Sequence, residues 1–255
     1  KELIKIINDS FEKGVYDLNF IDTSKITDMS WLFENVKHNF DISSWDVSNV
    51  TDTEFMFYFC VNFNCDLSGW DVSNVKNMCQ IFYGCIRLNT DLSNWNVSNV
   101  TNMYRMFVGC KKFNSDLSNW NMANVKTTRY MFSGCESFEG KGLENWDVSK
   151  VKDMYSMFAF CNKFNCDLSN WDVSNVTNME FMFDYCFEFK GKGLENWDVS
   201  NVTNMRHMFG GCKNFNCDLS NWDVSNVTDM SHMFYCCKNF DINCFKSWNV
   251  SNVEN

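Results

Sequence analysis

LSNWNVSNVTNMYRMFVGCKKFNSD, residues 92–116, returns with few changes along the chain, and that return decides how the chain is organised. Its tryptophan, Trp95, has counterparts at Trp45, Trp70, Trp120, Trp146, Trp171, Trp197, Trp222 and Trp248, at intervals of 25 or 26 residues, and Ile21 holds the position in an earlier copy. Self-similarity at such a period marks stacked repeats, because a unit this short cannot cover its own apolar face. From Trp146 onward the spacing alternates between 25 and 26. The extra residue accompanies EGKGLENW and KGKGLENW, which makes a 51-residue superperiod and points to duplication of repeat pairs.

Two periodicities alternate inside the unit. Trp95 and Val97 fall on one side of an extended segment, with Asn96 and Ser98 on the other, the period of a short strand. Met103, Met106, Phe107 and Cys110 then fall at i, i+3, i+4 and i+7, one face of two helical turns, with Thr101 or Asn102 as N-cap. The expected fold is therefore an α/β repeat: a leucine-rich-repeat-like right-handed solenoid with one short parallel strand and one short helix per coil. Rungs are expected at roughly 4.8 Å, tryptophan over tryptophan. Each buried tryptophan removes about 150–250 Å² from water, worth roughly 4–6 kcal/mol as an upper figure. Residues 1–17 break the pattern, and Leu3, Ile4, Ile6, Ile7 and Phe11 suit a capping helix. Residues 18–255 read as one continuous domain of about ten repeats with an uncapped last coil. The start at Lys1 without methionine and the stop inside a repeat suggest a piece of a longer protein.

The framework L-x-x-W-D-V-S-N-V-T-N-M-x-x-M-F-x-x-C-x-x-F-N-x-D is similar to the BspA-like surface-protein repeats of bacteria, protists and large DNA viruses, over roughly residues 18–255. The resemblance implies a leucine-rich-repeat-type solenoid displayed on a cell surface, outside the cell or on a virion, used for adhesion or protein binding and carrying no catalytic residues. The fourteen cysteines depart from bacterial members and suggest a eukaryotic or viral origin.

Composition narrows the function classes. A formal charge of -10 leaves no basic surplus for neutralising phosphates, which excludes nucleic acid and anionic membranes as natural partners. No apolar run reaches the roughly 18 residues of a membrane span, so no membrane insertion is expected. Three histidines, none in a nucleophile motif, leave little for acid–base chemistry, and no enzyme activity or cofactor is expected.

Several side-chain columns follow from the repeat. Cys60, Cys85, Cys110, Cys135, Cys161, Cys186, Cys212 and Cys237 share one position and read as a buried column of free thiols, since parallel Cβ vectors one rung apart sit poorly for a disulfide. Cys65, Cys166 and Cys217 share a second column. His207 and His232, with Cys236 nearby, resemble a metal site but lack a firm third ligand, and no metal is assigned. Asp46, Asp71, Asp147, Asp172, Asp198 and Asp223 follow their tryptophans, with asparagine at Asn96, Asn121 and Asn249. These suit turn-bonding side chains better than calcium ligands. Asp66, Asp91, Asp116, Asp167 and Asp218 read as turn formers, and the N-V-T sequons at Asn99, Asn175 and Asn226 follow from the repeat itself.

In stacked repeats specificity lies where coils differ. The outward positions between the apolar residues carry Phe55, Phe59, Tyr83, Tyr104, Tyr130, Tyr155, Phe181 and Tyr185, with Tyr58, Phe160 and Tyr235 among them. These rings lean on neighbouring coils or form a stripe for a protein partner or another copy of the chain. The polar Asp, Ser and Asn rows are the opposing candidate surface, suited to a regular or cationic ligand. The expected function is a non-catalytic, surface-displayed binding or adhesion module, and the alternative is a building block of a viral shell or extracellular filament.

Overall fold

The computed structural model describes residues 2–255, with the side chain of Cys244 left undescribed and Lys1 outside the described residues. The capping segment expected over 1–17 is helical at α1 (Glu2–Glu12), which lays Ile7, Leu3 and Phe11 against the first coil. Gly14 ends it with φ 72, while Gly14 N–H bonds Phe11 O at 3.0 Å and Val15 N–H bonds Ser10 O at 2.9 Å. This is a Schellman stop, which glycine adopts without Cβ strain.

Beyond α1 the chain winds into stacked coils around one apolar core running from Ile7 to Met233. The expected strand and helix per coil are both overturned: among the described residues no strand forms, and α1 is the one α-helix. The strand segment is a pair of β-turns, closed by Trp95 N–H to Leu92 O at 3.1 Å and Val100 N–H to Val97 O at 2.9 Å. Parallel pairing is confined, among the described residues, to single-residue bridges such as Asp52 to Asn77 and Asn77 to Asn102.

The helix segment is also built of turns. Met106 and Cys110 donate three residues back, to Met103 O at 3.2 Å and Phe107 O at 3.0 Å. Arg105, Phe107 and Gly109 instead donate forward to the next coil, to Arg129 O, Met131 O and Ser133 O at 3.1, 2.9 and 2.8 Å. A helix satisfies its donors internally, four residues back, and would leave none for the neighbouring coil. The turn chain shares them between coils because Arg105 and Gly109 are left-handed, φ 56 and 72, at the third position of their turns. The same pair of positions is left-handed in coil after coil, at Phe55 and Phe59, Gln80 and Gly84, Tyr130 and Gly134, Phe181 and Tyr185.

The apolar pattern is satisfied on this backbone, with Leu92, Trp95, Val97, Val100, Met103, Met106, Phe107, Cys110 and Phe113 all buried. Tryptophan lies over tryptophan, but at centroid separations of 6.3 to 6.5 Å with rings within 3° of parallel, not at strand spacing. The central phenylalanines, from Phe33 to Phe234, stack at 5.4 to 5.8 Å.

Polar ladders bind coil to coil. Each indole N–H reaches a carbonyl one coil back, from Trp45 to Leu18 through Trp248 to Leu219, at 2.7 to 3.2 Å. The eight column thiols are free, and each donates to a phenylalanine carbonyl of the preceding coil at 2.9 to 3.1 Å. The superperiod has a hydrogen-bonding reason. Leu67 and Leu92 donate their N–H to the hydroxyls of Thr90 and Ser115. Where glycine stands at that position, the longer coil supplies a backbone acceptor instead: Leu117 N–H bonds Lys141 O and Leu168 N–H bonds Lys192 O, both at 3.1 Å. Neither arrangement leaves a buried donor orphaned.

Candidate functional site

The left-handed turn positions present side chains on one flank of the stack. Phe55, Tyr130 and Phe181 occupy the first of them, each with φ 56, and Phe59 and Tyr185 the second, with φ 55 and 59. Tyr104 and Tyr155 immediately precede the first position in their coils, and Tyr83 the second. All eight rings reach this flank, but not as one unbroken stripe. Phe55 stacks on Trp31 at 3.9 Å, and Phe59 meets Tyr58 at 4.7 Å and Tyr83 at 5.3 Å, forming one patch. A second run links Tyr104 to Tyr130 at 6.2 Å, Tyr130 to Tyr155 at 4.9 Å, Tyr155 to Phe181 at 5.8 Å and Phe181 to His207 at 4.9 Å. Tyr185 pairs with Phe160 at 5.2 Å. Most of these rings are half-buried against neighbouring coils, and Phe59, Phe160 and Tyr185 stand exposed at 38%, 49% and 37%.

The sequence reading passed over the arginines among them. Arg105 lies 4.9 Å from the Tyr104 ring and 4.6 Å from Tyr130, Arg129 lies 5.0 Å from Tyr155, and Arg206 lies 5.6 Å from Phe181. Three of the four arginines in an acidic chain are thus stacked on this flank. The signal was available, since they share the outward columns of the tyrosines. Arg129 also pairs with Asp153 at 3.0 Å and Arg206 with Glu180 at 3.7 Å. Burial, then the Tyr130 hydroxyl, pushes the Tyr155 phenol up to about 12, so Tyr155 presents a neutral hydroxyl.

Each carboxylate of the polar rows has one oxygen, Oδ1, engaged within the chain. Asp46, Asp71, Asp147, Asp172, Asp198 and Asp223 each accept the N–H of the serine two residues on, at 2.9 to 3.0 Å. Asn96 does the same for Ser98 at 3.1 Å, which explains why asparagine substitutes there. The row at Asp66, Asp91, Asp116, Asp167 and Asp218 makes the same turn. Asn99, Asn175 and Asn226, the sequon asparagines, donate their amides to serine carbonyls of the preceding coil at 2.7 to 2.9 Å. The His207 and His232 rings lie 4.8 Å apart, and among the described residues no group of three His, Cys, Asp or Glu side chains is placed to hold a metal ion. No helix among the described residues is long and apolar enough to cross a membrane.

A family described as Mycoplasma protein of unknown function, DUF285, matches this chain over residues 4–118, 65–170, 103–193 and 161–255. No curated protein and no solved structure matches it. The overlapping matches run through the stacked coils from the capping helix to the last tryptophan unit, and the chain belongs to the DUF285 family of repeat-containing proteins.

Proposed function

We propose that this chain is a non-catalytic protein-binding module, displayed outside the cell or on a virion and akin to BspA-like surface repeats, that docks partners on its aromatic flank. The observation that carries this reading is the backbone at Phe59, Phe160 and Tyr185. All three are left-handed, φ 55, 62 and 59, at a turn position that other coils give to Gly84, Gly109, Gly134 and Gly211. A side chain there costs about 1–2 kcal/mol relative to glycine, and the buried part of each ring offsets that cost without reaching the full stabilisation of a core residue. Bulky residues held in strained, exposed backbone mark positions kept for a task other than folding. The surrounding tyrosines and stacked arginines are the residue types that dominate interface energetics.

The test is a triple variant, Phe59→Gly, Phe160→Gly and Tyr185→Gly, which removes the rings and relaxes the backbone together. Immobilised wild-type chain is expected to capture specific solubilised surface proteins, and the triple variant to lose that capture while still folding cooperatively. Equal capture by both chains would remove the flank from the binding surface. Light scattering across a concentration series reports the other outcome: concentration-dependent growth abolished by the same variant would identify the flank's partner as a second copy.

A further inference from the structure

Asp184 departs from the repeat. Other coils place Glu34, Tyr58, Tyr83, Val108, Ser133, Ala159, Gly210 or Tyr235 at its position, and Glu34 is exposed where Asp184 is buried. Its carboxyl is buried, with 4% exposure, and Oδ1 has no hydrogen-bond partner. Nδ1 of His207, in the next coil, faces it at 3.7 Å and is likewise buried without a partner. A third departure makes the room: a Cβ on Gly210 would fall on the Asp184 carboxylate and within 3.0 Å of His207 Nδ1. Gly210 is not left-handed, so space rather than backbone conformation calls for glycine here. Three residues in two adjacent coils thus converge on one point.

We propose that Asp184 and His207 form a one-proton latch between coils: holding a proton they close into a neutral or internally paired hydrogen bond, and losing it they leave a buried carboxylate facing an uncharged ring and loosen the flank at Tyr185. The rung affected is defined, because Tyr185 N–H bonds Gly210 O at 2.6 Å and Gly210 N–H bonds His207 O at 3.0 Å. The surroundings keep the pair at a single charge or none. Cys186, Cys212 and Cys237 pack around Asp184 as thiols that burial raises far from ionisation. His207 faces His232 and Arg206, which oppose a positive ring, and Asp229, which favours one. Arg206 is itself held by Glu180 at 3.7 Å, while Tyr185 and Tyr235 are the nearby phenols. Burial pushes the Asp184 carboxyl up to about 7, and burial, then His232 and Arg206, push His207 down.

The sign of the pH dependence follows. Near pH 5 the unfolded pair carries one proton, on histidine, and the folded pair also carries one, shared, so the wild-type pair adds almost no pH slope there. Removing either partner exposes the other. With Asp184 gone, the unfolded His207 binds a proton that the folded ring refuses, so stability rises with pH up to about 6.5. With His207 gone, the folded Asp184 holds a proton that the unfolded carboxyl releases, so stability falls as pH rises from about 4 to 7. With His207 gone the slope approaches about tenfold in the folded-to-unfolded ratio per pH unit, and with Asp184 gone it has the opposite sign.

The substitutions Asp184→Ser and His207→Gln use residues that the repeat already accommodates, Ser133 and the left-handed Gln80. Urea unfolding of the wild type, both single variants and the double variant at pH 5, 6, 7 and 8 is expected to give opposite slopes for the single variants. The wild type and the double variant should both run flatter. Two single variants with the wild-type profile overturn the latch. A measurement free of substitutions is the carbon-13 shift of the Asp184 carboxyl in the intact chain: a midpoint near neutrality is expected, and one near 4 overturns the proposal. Both readouts are independent of whether the flank binds a partner.

Discussion

The indole N–H of Trp95 donates to the carbonyl oxygen of Leu67, one coil behind it, at 3.0 Å, while the Trp95 ring stacks on Trp70 behind and Trp120 ahead at 6.4 and 6.5 Å. One side chain thus joins three coils, through a hydrogen bond in one direction and ring packing in both. Along the stack this contact takes the place of the sheet ladder that the segment does not form.

Replacing Trp120 with phenylalanine keeps an apolar ring but removes the donor to Leu92 O, which lies 3.0 Å away in the buried core. The lost bond and the unfilled volume together should cost about 2–4 kcal/mol, with Leu92 O keeping its turn bond from Trp95 N–H. In stacked repeats stability is close to a sum of local terms, so the loss should appear as an early unfolding phase confined to adjacent coils. Hydrogen exchange that accelerates around residues 92–146 and not near α1 is the expected pattern.

The buried columns were legible because a period of 25 or 26 residues overdetermines them; Leu92, Trp95, Val100, Met103, Phe107 and Cys110 are buried as read. The backbone beneath them was not. Successive turns advance a buried face through the same i, i+3, i+4, i+7 positions as a helix, so the apolar pattern does not separate the two. Glycine did hold the information: Gly84, Gly109, Gly134 and Gly211 recur one residue before the column cysteine, well inside the supposed helix, where glycine is unfavourable. Phe59, Phe160 and Tyr185 at that same position obscured the signal. On the flank, the rings were visible as outward positions, whereas their grouping into separate patches and the arginines between them depended on turn geometry.

The two kinds of asparagine in each repeat should respond differently to conversion into aspartate. Asn96 contributes only its side-chain oxygen, accepting from Ser98 N–H, and aspartate already serves at that position in seven coils, Asp22 included, so Asn96→Asp should be neutral within about 0.5 kcal/mol. Asn99 contributes its amide, donating to Ser73 O at 2.7 Å. Asn99→Asp places a carboxylate against a carbonyl and should cost about 1 kcal/mol at this exposed site. Urea midpoints of the two single variants check the contrast, and equal values would mean that the amide ladder contributes nothing.

The column thiols should be chemically silent in the folded chain. Burial pushes Cys60 up to about 12 and raises the interior members of the column further, and each S–H is occupied by a carbonyl one coil back. Among the thirteen described cysteines Cys236 alone is exposed. In a Cys244→Ser background, a thiol reagent at pH 8 should therefore label Cys236 rapidly and the column only after denaturant is added. Rapid labelling of Cys110 in native buffer would contradict the packing. Cys110→Ala should cost about 1–2 kcal/mol by removing the second donor to Phe82 O, which keeps the Cys85 N–H, and by opening a small gap in the core.

Acid should weaken the turns before it disturbs the core. Hydrogen bonds from Ser43 hold Asp41 at about 2, and bonds from Lys141 and Ser118 hold Asp116 at about 2. These carboxylates are depressed in the folded chain, so the stability they contribute is present above about pH 4 and is lost as pH falls toward 2. Asp116→Asn, which keeps the oxygen that accepts from Ser118 N–H, should flatten that limb of the acid unfolding curve. An unchanged curve would place the acid sensitivity elsewhere.

Reciprocal exchange at the second left-handed position separates backbone strain from ring function. Gly109 has φ 72, and the nearest heavy atom to an added Cβ is Gly84 Cα at 3.9 Å, so Gly109→Ala probes backbone conformation with no clash and should cost about 1–2 kcal/mol. Phe160 holds φ 62 with half its surface exposed, and its main ring partner is Tyr185 at 5.2 Å. Phe160→Gly recovers the conformational term while losing the burial of about half a ring and one stacked pair worth about 0.5–1.5 kcal/mol beyond it, so the net loss is about 1–2 kcal/mol and the melting temperature should fall by only a few degrees. If Phe160→Gly instead unfolds as readily as a core truncation, the ring is structural, and its exposed face is no argument for a binding flank. If stability holds and partner capture falls, the strain at Phe160 is retained for recognition.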